Sequence, residues 1–169
     1  VPYLVLPLME KGSLRGLLQR SPAGGRVGEK QIVPFLAQIA SGLAVLHKNN
    51  FVHQDIAPEN IFLGDGGVFL LGDFGISRIL HNTLSHEIGP NKIFHIAYAS
   101  PERFVTRSAN PPDDIFSVGV LLVEMAMGKV PFDGQGGKEL LDEQEPRKYL
   151  DINYSDEFIE IVQSCLQRN

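Results

Sequence analysis

The sequence predicts a mainly α fold with short β-hairpins, and three observations predict it. Ile32, Leu36, Ile39, Leu43 and Leu46 recur at steps of four and three, one apolar stripe along a helix over residues 29–48. Residues 115–127 are apolar nearly all round, with Ile115, Phe116, Val118, Val120, Leu121, Leu122, Val123 and Met125. Such a helix is buried in a core, and it is too short to span a membrane. Two short apolar runs, Ile61-Phe62-Leu63 and Val68-Phe69-Leu70-Leu71, flank Gly64-Asp65-Gly66-Gly67. That is a hairpin signal.

The remaining elements follow in order. Residues 1–8 read as a strand that ends at Pro7, because proline removes a ladder donor. Ser13 can cap a short helix over 14–20, and the glycine-rich run 21–28 is a loop. Pro34 falls in the early turns of the helix over 29–48, and Asn49-Asn50 ends it. Residues 76–99 show little periodicity, as a long functional loop does. Pro101 suits the first position of a short helix over 101–106. Asn110-Pro111-Pro112 reads as a break, with Asp113 or Asp114 capping the helix from Ile115. A short helix is expected over 138–142. A final helix opens at Ser155 or Asp156 and carries Phe158, Ile159, Ile161, Val162, Cys165 and Leu166 on one face.

The totals bound the function. The chain has 169 residues, enough for one domain with a core, and its net charge is −5. Nothing in that balance suggests a nucleic-acid or membrane surface. One cysteine, Cys165, excludes an internal disulfide framework, and an intracellular, cytoplasmic setting is the expectation.

The chemistry concentrates in residues 51–75. Two acidic positions, Asp55 and Asp73, bracket Asn60. The hairpin holds Asn60 at its entrance and Asp73 at its exit, so both could face one small volume. Mg²⁺ takes hard oxygen ligands, usually one or two carboxylates plus substrate phosphates. Asp73 and the Asn60 amide oxygen are ligands of that kind, which leaves Asp55 to act as a base.

His53-Gln54-Asp55-Ile56-Ala57-Pro58-Glu59-Asn60 resembles the catalytic loop of the protein kinase family, and Asp73-Phe74-Gly75 resembles its D-F-G motif. Ser100-Pro101-Glu102 resembles its A-P-E, and Asp114-Ile115-Phe116-Ser117-Val118-Gly119 its central large-lobe helix. The resemblance covers almost the whole chain. It implies a kinase-like large (C-terminal) lobe with the small lobe mostly absent, over residues 1–169, with residues 73–102 as activation segment. ATP and Mg²⁺ are the implied cofactors, and a protein is the implied substrate. Asp55 would be catalytic, and Asn60 and Asp73 would hold the metal. Leu6, Pro7, Met9 and Phe62 would join them in binding the nucleotide. His53, Phe74, Gly75, Glu102 and Asp114 would be structural motif residues, with Asp114 binding backbone amides of the His53-Gln54-Asp55 turn. Thr83 and Ser85 are the candidate phosphosites.

Three departures from the family pattern bear on activity. Gln54 replaces the arginine that binds a phosphorylated activation loop. Ala57 stands where Ser/Thr kinases carry a lysine. Phe94-His95 replaces a Gly-Thr pair. No Gly-rich loop or strand lysine is present in these 169 residues, so a fragment of a longer kinase, inactive by itself, is expected. The expected function of the full-length protein is ATP-dependent phosphorylation of protein Ser/Thr hydroxyls. The alternative is a pseudokinase that acts as a binding or scaffold module.

Overall fold

The computed structural model describes residues 5–73, 78–79, 95–105, 110–138 and 154–167, the pair 78–79 by its backbone alone. In chain order the elements are α1 (Leu14–Arg20), α2 (Glu29–Lys48), β1 (Phe51–Val52), β2 (Ile61–Leu63), β3 (Phe69–Leu71), β4 (Arg78–Ile79), α3 (Pro101–Val105), α4 (Pro111–Met127) and α5 (Asp156–Cys165). Helices dominate, with two two-stranded antiparallel sheets, β1–β4 and β2–β3.

α4 is the centre of the core. Residues 116–126 are all buried, because hardly a polar side chain interrupts them. α2, α5 and β1 pack against α4, and the β2–β3 hairpin packs on α2. On α2 the buried stripe is Ile32, Phe35, Ile39 and Leu43, with Leu36 and Leu46 only partly buried. Phe35 meets Phe69 of β3 edge to face, with ring centroids 4.9 Å apart. Pro34 is accommodated inside α2 without ending it. The hairpin pairs Ile61 with Leu71, Phe62 with Leu70 and Leu63 with Phe69. Ser13 caps α1 through the Gly16 N–H, and Ser155 caps α5 through the Phe158 N–H. α5 buries Phe158, Val162 and Leu166, while Ile161, expected on the same face, is exposed.

Two expectations are corrected. Residues 5–8 form no strand: Val5, Leu6 and Leu8 are 80%, 68% and 84% exposed, and no described strand lies beside them to pair with. α4 begins at Pro111 rather than after the prolines. The first turn of a helix has no use for its N–H groups, so Pro111 and Pro112 fit there. Asn110 is the cap, and Asp113 completes a capping box by accepting the Asn110 N–H at 2.6 Å. Phe74, Gly75, Thr83 and Ser85, and most of the expected helix over 138–142, lie outside the described residues.

Candidate active site

The site is built on the loop between β1 and β2, and α4 holds that loop in place. Asp114, 1% exposed, accepts the His53 N–H on Oδ2 and the Gln54 N–H on Oδ1, each at 2.8 Å. Its Oδ2 also meets His47 Nε2 of α2 at 2.8 Å. Gln54 has φ 71°, a left-handed backbone that costs a non-glycine residue roughly 1–2 kcal/mol. Asp114 holds its N–H, and Arg103 of α3 donates Nη1–H to its carbonyl at 2.5 Å. The peptide groups on both sides of the strained residue are therefore fixed, and Asp55 follows from a rigid turn.

His53 ties the Asp55 backbone to Gly72, the residue before Asp73. The Asp55 N–H donates to His53 Nδ1 at 3.3 Å, so Nδ1 is the unprotonated nitrogen. Nε2–H then donates to the Gly72 carbonyl at 3.1 Å. Burial holds this imidazole below its usual pKa, against the pull of the Asp114 charge, and the neutral tautomer fits both bonds. Gly72 is held on its other side too, where its N–H donates to the Asn60 carbonyl at 2.9 Å. A Cβ on Gly72 would stand 2.7 Å from the Phe62 ring, so that ring packs directly against the residue before Asp73. Asp73 itself is exposed and left-handed, φ 56°.

Asp55 carries the densest set of bonds. The Asn60 amide gives one Nδ2 hydrogen to the Asp55 carbonyl and one to Oδ2, both at 2.8 Å. His95 gives its backbone N–H (3.0 Å) and its ring Nδ1 (2.9 Å) to Oδ1. Burial pushes the Asp55 carboxyl up, but the His95 bonds outweigh it and the net pKa lies below the ordinary value. Asp55 is therefore ionised at neutral pH, as a proton acceptor must be.

The donor set fits Mg²⁺. Both Asn60 N–H groups are spent on Asp55, which turns the amide oxygen away from that carboxylate. Among the described residues no group of three or more His, Cys, Asp or Glu could hold a metal. One amide oxygen and one carboxylate suit a cation that takes its other ligands from phosphates and water. Leu6 and Pro7 are exposed, and Met9 is half-buried. The Met9 carbonyl closes a turn by accepting the Gly12 N–H at 2.9 Å, and a bridge between Ser13 and Phe62 brings this segment to the hairpin.

A charged network below Asp55 was not legible in the sequence. Arg15 of α1 reaches Glu59 (2.6 Å), Glu124 of α4 (2.5 Å) and the Tyr98 hydroxyl (2.6 Å). Tyr98 in turn donates to Glu124 at 2.5 Å. Burial alone would lower the Arg15 pKa, but the two carboxylates raise it, so its charge is permanent. Burial and Glu124 hold the Tyr98 phenol up and protonated. The one hint was Glu124 itself, the only charged residue in positions 115–127. Ser100 donates to Asp113, and Ser117 donates to the Tyr98 carbonyl at 2.8 Å, so α4 also fixes the segment that carries His95. Glu102 is half-buried on α3.

A family model described as "Protein kinase domain" matches residues 2–169. The chain is 35% identical over 174 residues to the serine/threonine-protein kinase PknL of Mycobacterium tuberculosis, an overlap of 99% of this chain and 42% of PknL. It is 28% identical over 170 residues to the tyrosine-protein kinase SRK2 of Spongilla lacustris, an overlap of 99% of this chain and 46% of that relative. The chain thus spans less than half the length of either relative.

Proposed function

The chain belongs to the protein kinase family, and we propose that the full-length protein transfers the γ-phosphoryl group of ATP to Ser/Thr hydroxyls of proteins. The observation that carries this reading is Asp55: an ionised carboxylate held at both oxygens, on a turn that α4 fixes, beside Asn60 and the Gly72-Asp73 corner.

In the proposed reaction the substrate hydroxyl oxygen bonds to the γ-phosphorus, and the bond from that phosphorus to the β–γ bridging oxygen breaks. ADP leaves, and the hydroxyl proton passes to Asp55. A positioned base of this kind contributes about 10²–10⁴-fold. Mg²⁺, when bound, would neutralise charge on the phosphates, and Asn60 Oδ1 and the Asp73 carboxylate are the groups that would hold it. Leu6, Pro7, Met9 and Phe62 would contact the adenine.

Residues 73–102 are read as the activation segment, with Thr83 and Ser85 as its modifiable hydroxyls. Gln54 stands where the family's phosphate-binding arginine would be, which argues against a phosphorylation switch there, and Arg103 holds the Gln54 carbonyl from α3. Ser/Thr specificity is favoured by the higher identity to PknL than to SRK2. The 169 residues alone, with no Gly-rich loop or strand lysine to hold phosphates, are not expected to transfer phosphate. The competing reading, a pseudokinase, rests on sequence alone: Ala57 stands at the position of the family's lysine.

The test is transfer from Mg-ATP by the full-length protein onto a mixed set of Ser, Thr and Tyr peptides, with phosphoamino-acid analysis. Phosphoserine or phosphothreonine that disappears in chelator supports the proposal. Phosphotyrosine alone overturns the specificity. A folded protein that binds nucleotide and transfers nothing supports the scaffold.

A further inference from the structure

We propose that His95 is a positioning residue for Asp55, and that it selects Oδ2 as the oxygen that receives the substrate proton. The inference rests on the kinase reading above.

An ionised carboxylate only accepts, and offers about two lone pairs on each oxygen. Both donors of His95, backbone N–H and ring Nδ1–H, converge on Oδ1 at 3.0 and 2.9 Å. That oxygen is filled. Oδ2 takes one donor, Asn60 Nδ2, at 2.8 Å. One acceptor site therefore remains, on Oδ2, and its direction is set by the two residues that grip the carboxylate. His95 is itself held from behind. Tyr98 and Ser100, three and five residues on, are bonded to Glu124, Ser117 and Asp113 of α4.

The ring also has a second carboxylate in front of it. Its Nε2 stands 3.9 Å from Glu59 Oε2, too far for a hydrogen bond, yet close enough for charges to attract. That Oε2 is buried with no hydrogen-bond partner among the described residues. Asp55 and Glu59 face the ring as anions, and Arg15, bonded to Glu59 at 2.6 Å, faces it as a cation. The Asp55 bond raises the His95 pKa against burial, and the two carboxylates outweigh Arg15. When protonated, the ring puts a positive charge one hydrogen bond from Asp55, in a loop where Ala57 supplies none.

The experiment has two arms on the full-length protein. The first reads His95 by nitrogen NMR, in wild type and in Asp55→Asn. The expected result is a protonated Nδ1 in wild type and a His95 titration midpoint that falls in the variant. An unchanged midpoint overturns the clamp, whether or not the protein is a kinase. The second arm measures transfer by His95→Ala and His95→Asn, because the asparagine amide keeps an N–H donor. His95→Ala retains the backbone donor and should lose roughly 10–100-fold in kcat, with the KM for ATP within about twofold. His95→Asn should recover much of that loss. An unchanged kcat, or a KM for ATP that rises in step, overturns the positioning role. If wild type itself transfers nothing, the kinase reading fails and the catalytic half of the proposal falls with it, while the NMR arm still decides the clamp.

Discussion

Asp114 Oδ1 and the Gln54 N–H meet at 2.8 Å, sixty residues apart in sequence. The bond joins the buried central helix α4 to a loop residue held in the left-handed conformation. A rigid apolar helix thereby sets the position of Asp55, which follows Gln54 directly.

Replacing Asp114 by Asn should therefore damage both fold and site. The amide turns a donor toward one of two buried N–H groups, and leaving a buried donor unsatisfied costs about 1–3 kcal/mol. We expect Asp114→Asn to lower stability by about 2–3 kcal/mol in urea unfolding and to lower phosphate transfer in the protein that remains folded. Unchanged stability would mean that the loop holds its left-handed turn without α4.

Arg15 and Glu124 are 109 residues apart in sequence and bonded at 2.5 Å, with side chains 22% and 5% exposed. Removing one partner of such a pair strands the other charge. Arg15→Met should cost about 3 kcal/mol, and the double variant Arg15→Met/Glu124→Leu less than the sum of the single changes. Additive losses in a denaturation cycle would show that the two groups act independently.

Gly128 closes α4 in the left-handed conformation, φ 74°, and a Cβ there would lie 2.5 Å from the Gly24 carbonyl oxygen. Gly12 has a similar φ of 76° but open space around it. Gly12→Ala should cost about 1 kcal/mol from backbone conformation alone. Gly128→Ala should cost clearly more, since backbone must shift as well. Equal losses in thermal unfolding would argue against the tight packing of the 24–26 loop on the end of α4.

His95 also predicts a pH dependence of stability. Its pKa in the fold is raised above 6.5, so the protonated form is the one the fold favours. That contribution is fully present below the unfolded value and is lost as pH rises through the folded one. The stability difference between wild type and His95→Ala should therefore shrink from mildly acidic to alkaline pH. A difference that grows with pH would contradict the ion pairs with Asp55 and Glu59.

The helices at 14–20, 29–48, 101–105 and 156–165, the hairpin and the Ser13 and Ser155 caps were legible in the sequence, because periodicity and turn chemistry are local. The start of α4 was misread because the same Pro-Pro pair that breaks a helix interior is at ease in a first turn. The strand expected at residues 1–8 rested on apolar composition, and over residues 5–8, the part the structure describes, no described strand pairs with it. In the site, the motif spacing singled out Asp55, Asn60 and Asp73. His95 read only as a departure from pattern, and its bonds to Asp55 depend on a fold that brings residues 40 apart together. Arg15 gave no sign, since an arginine in a short helix looks like any solvated one until α4 and the loop close over it.

The most direct measurement is the rate of phosphate transfer from Mg-ATP by the full-length protein beside its Asp55→Ala variant, with both shown to be folded and to bind nucleotide. A wild-type rate that falls by about 10²-fold or more in the variant is the result the account predicts. Equal rates, or no transfer by either, would contradict the assignment of Asp55 as the base.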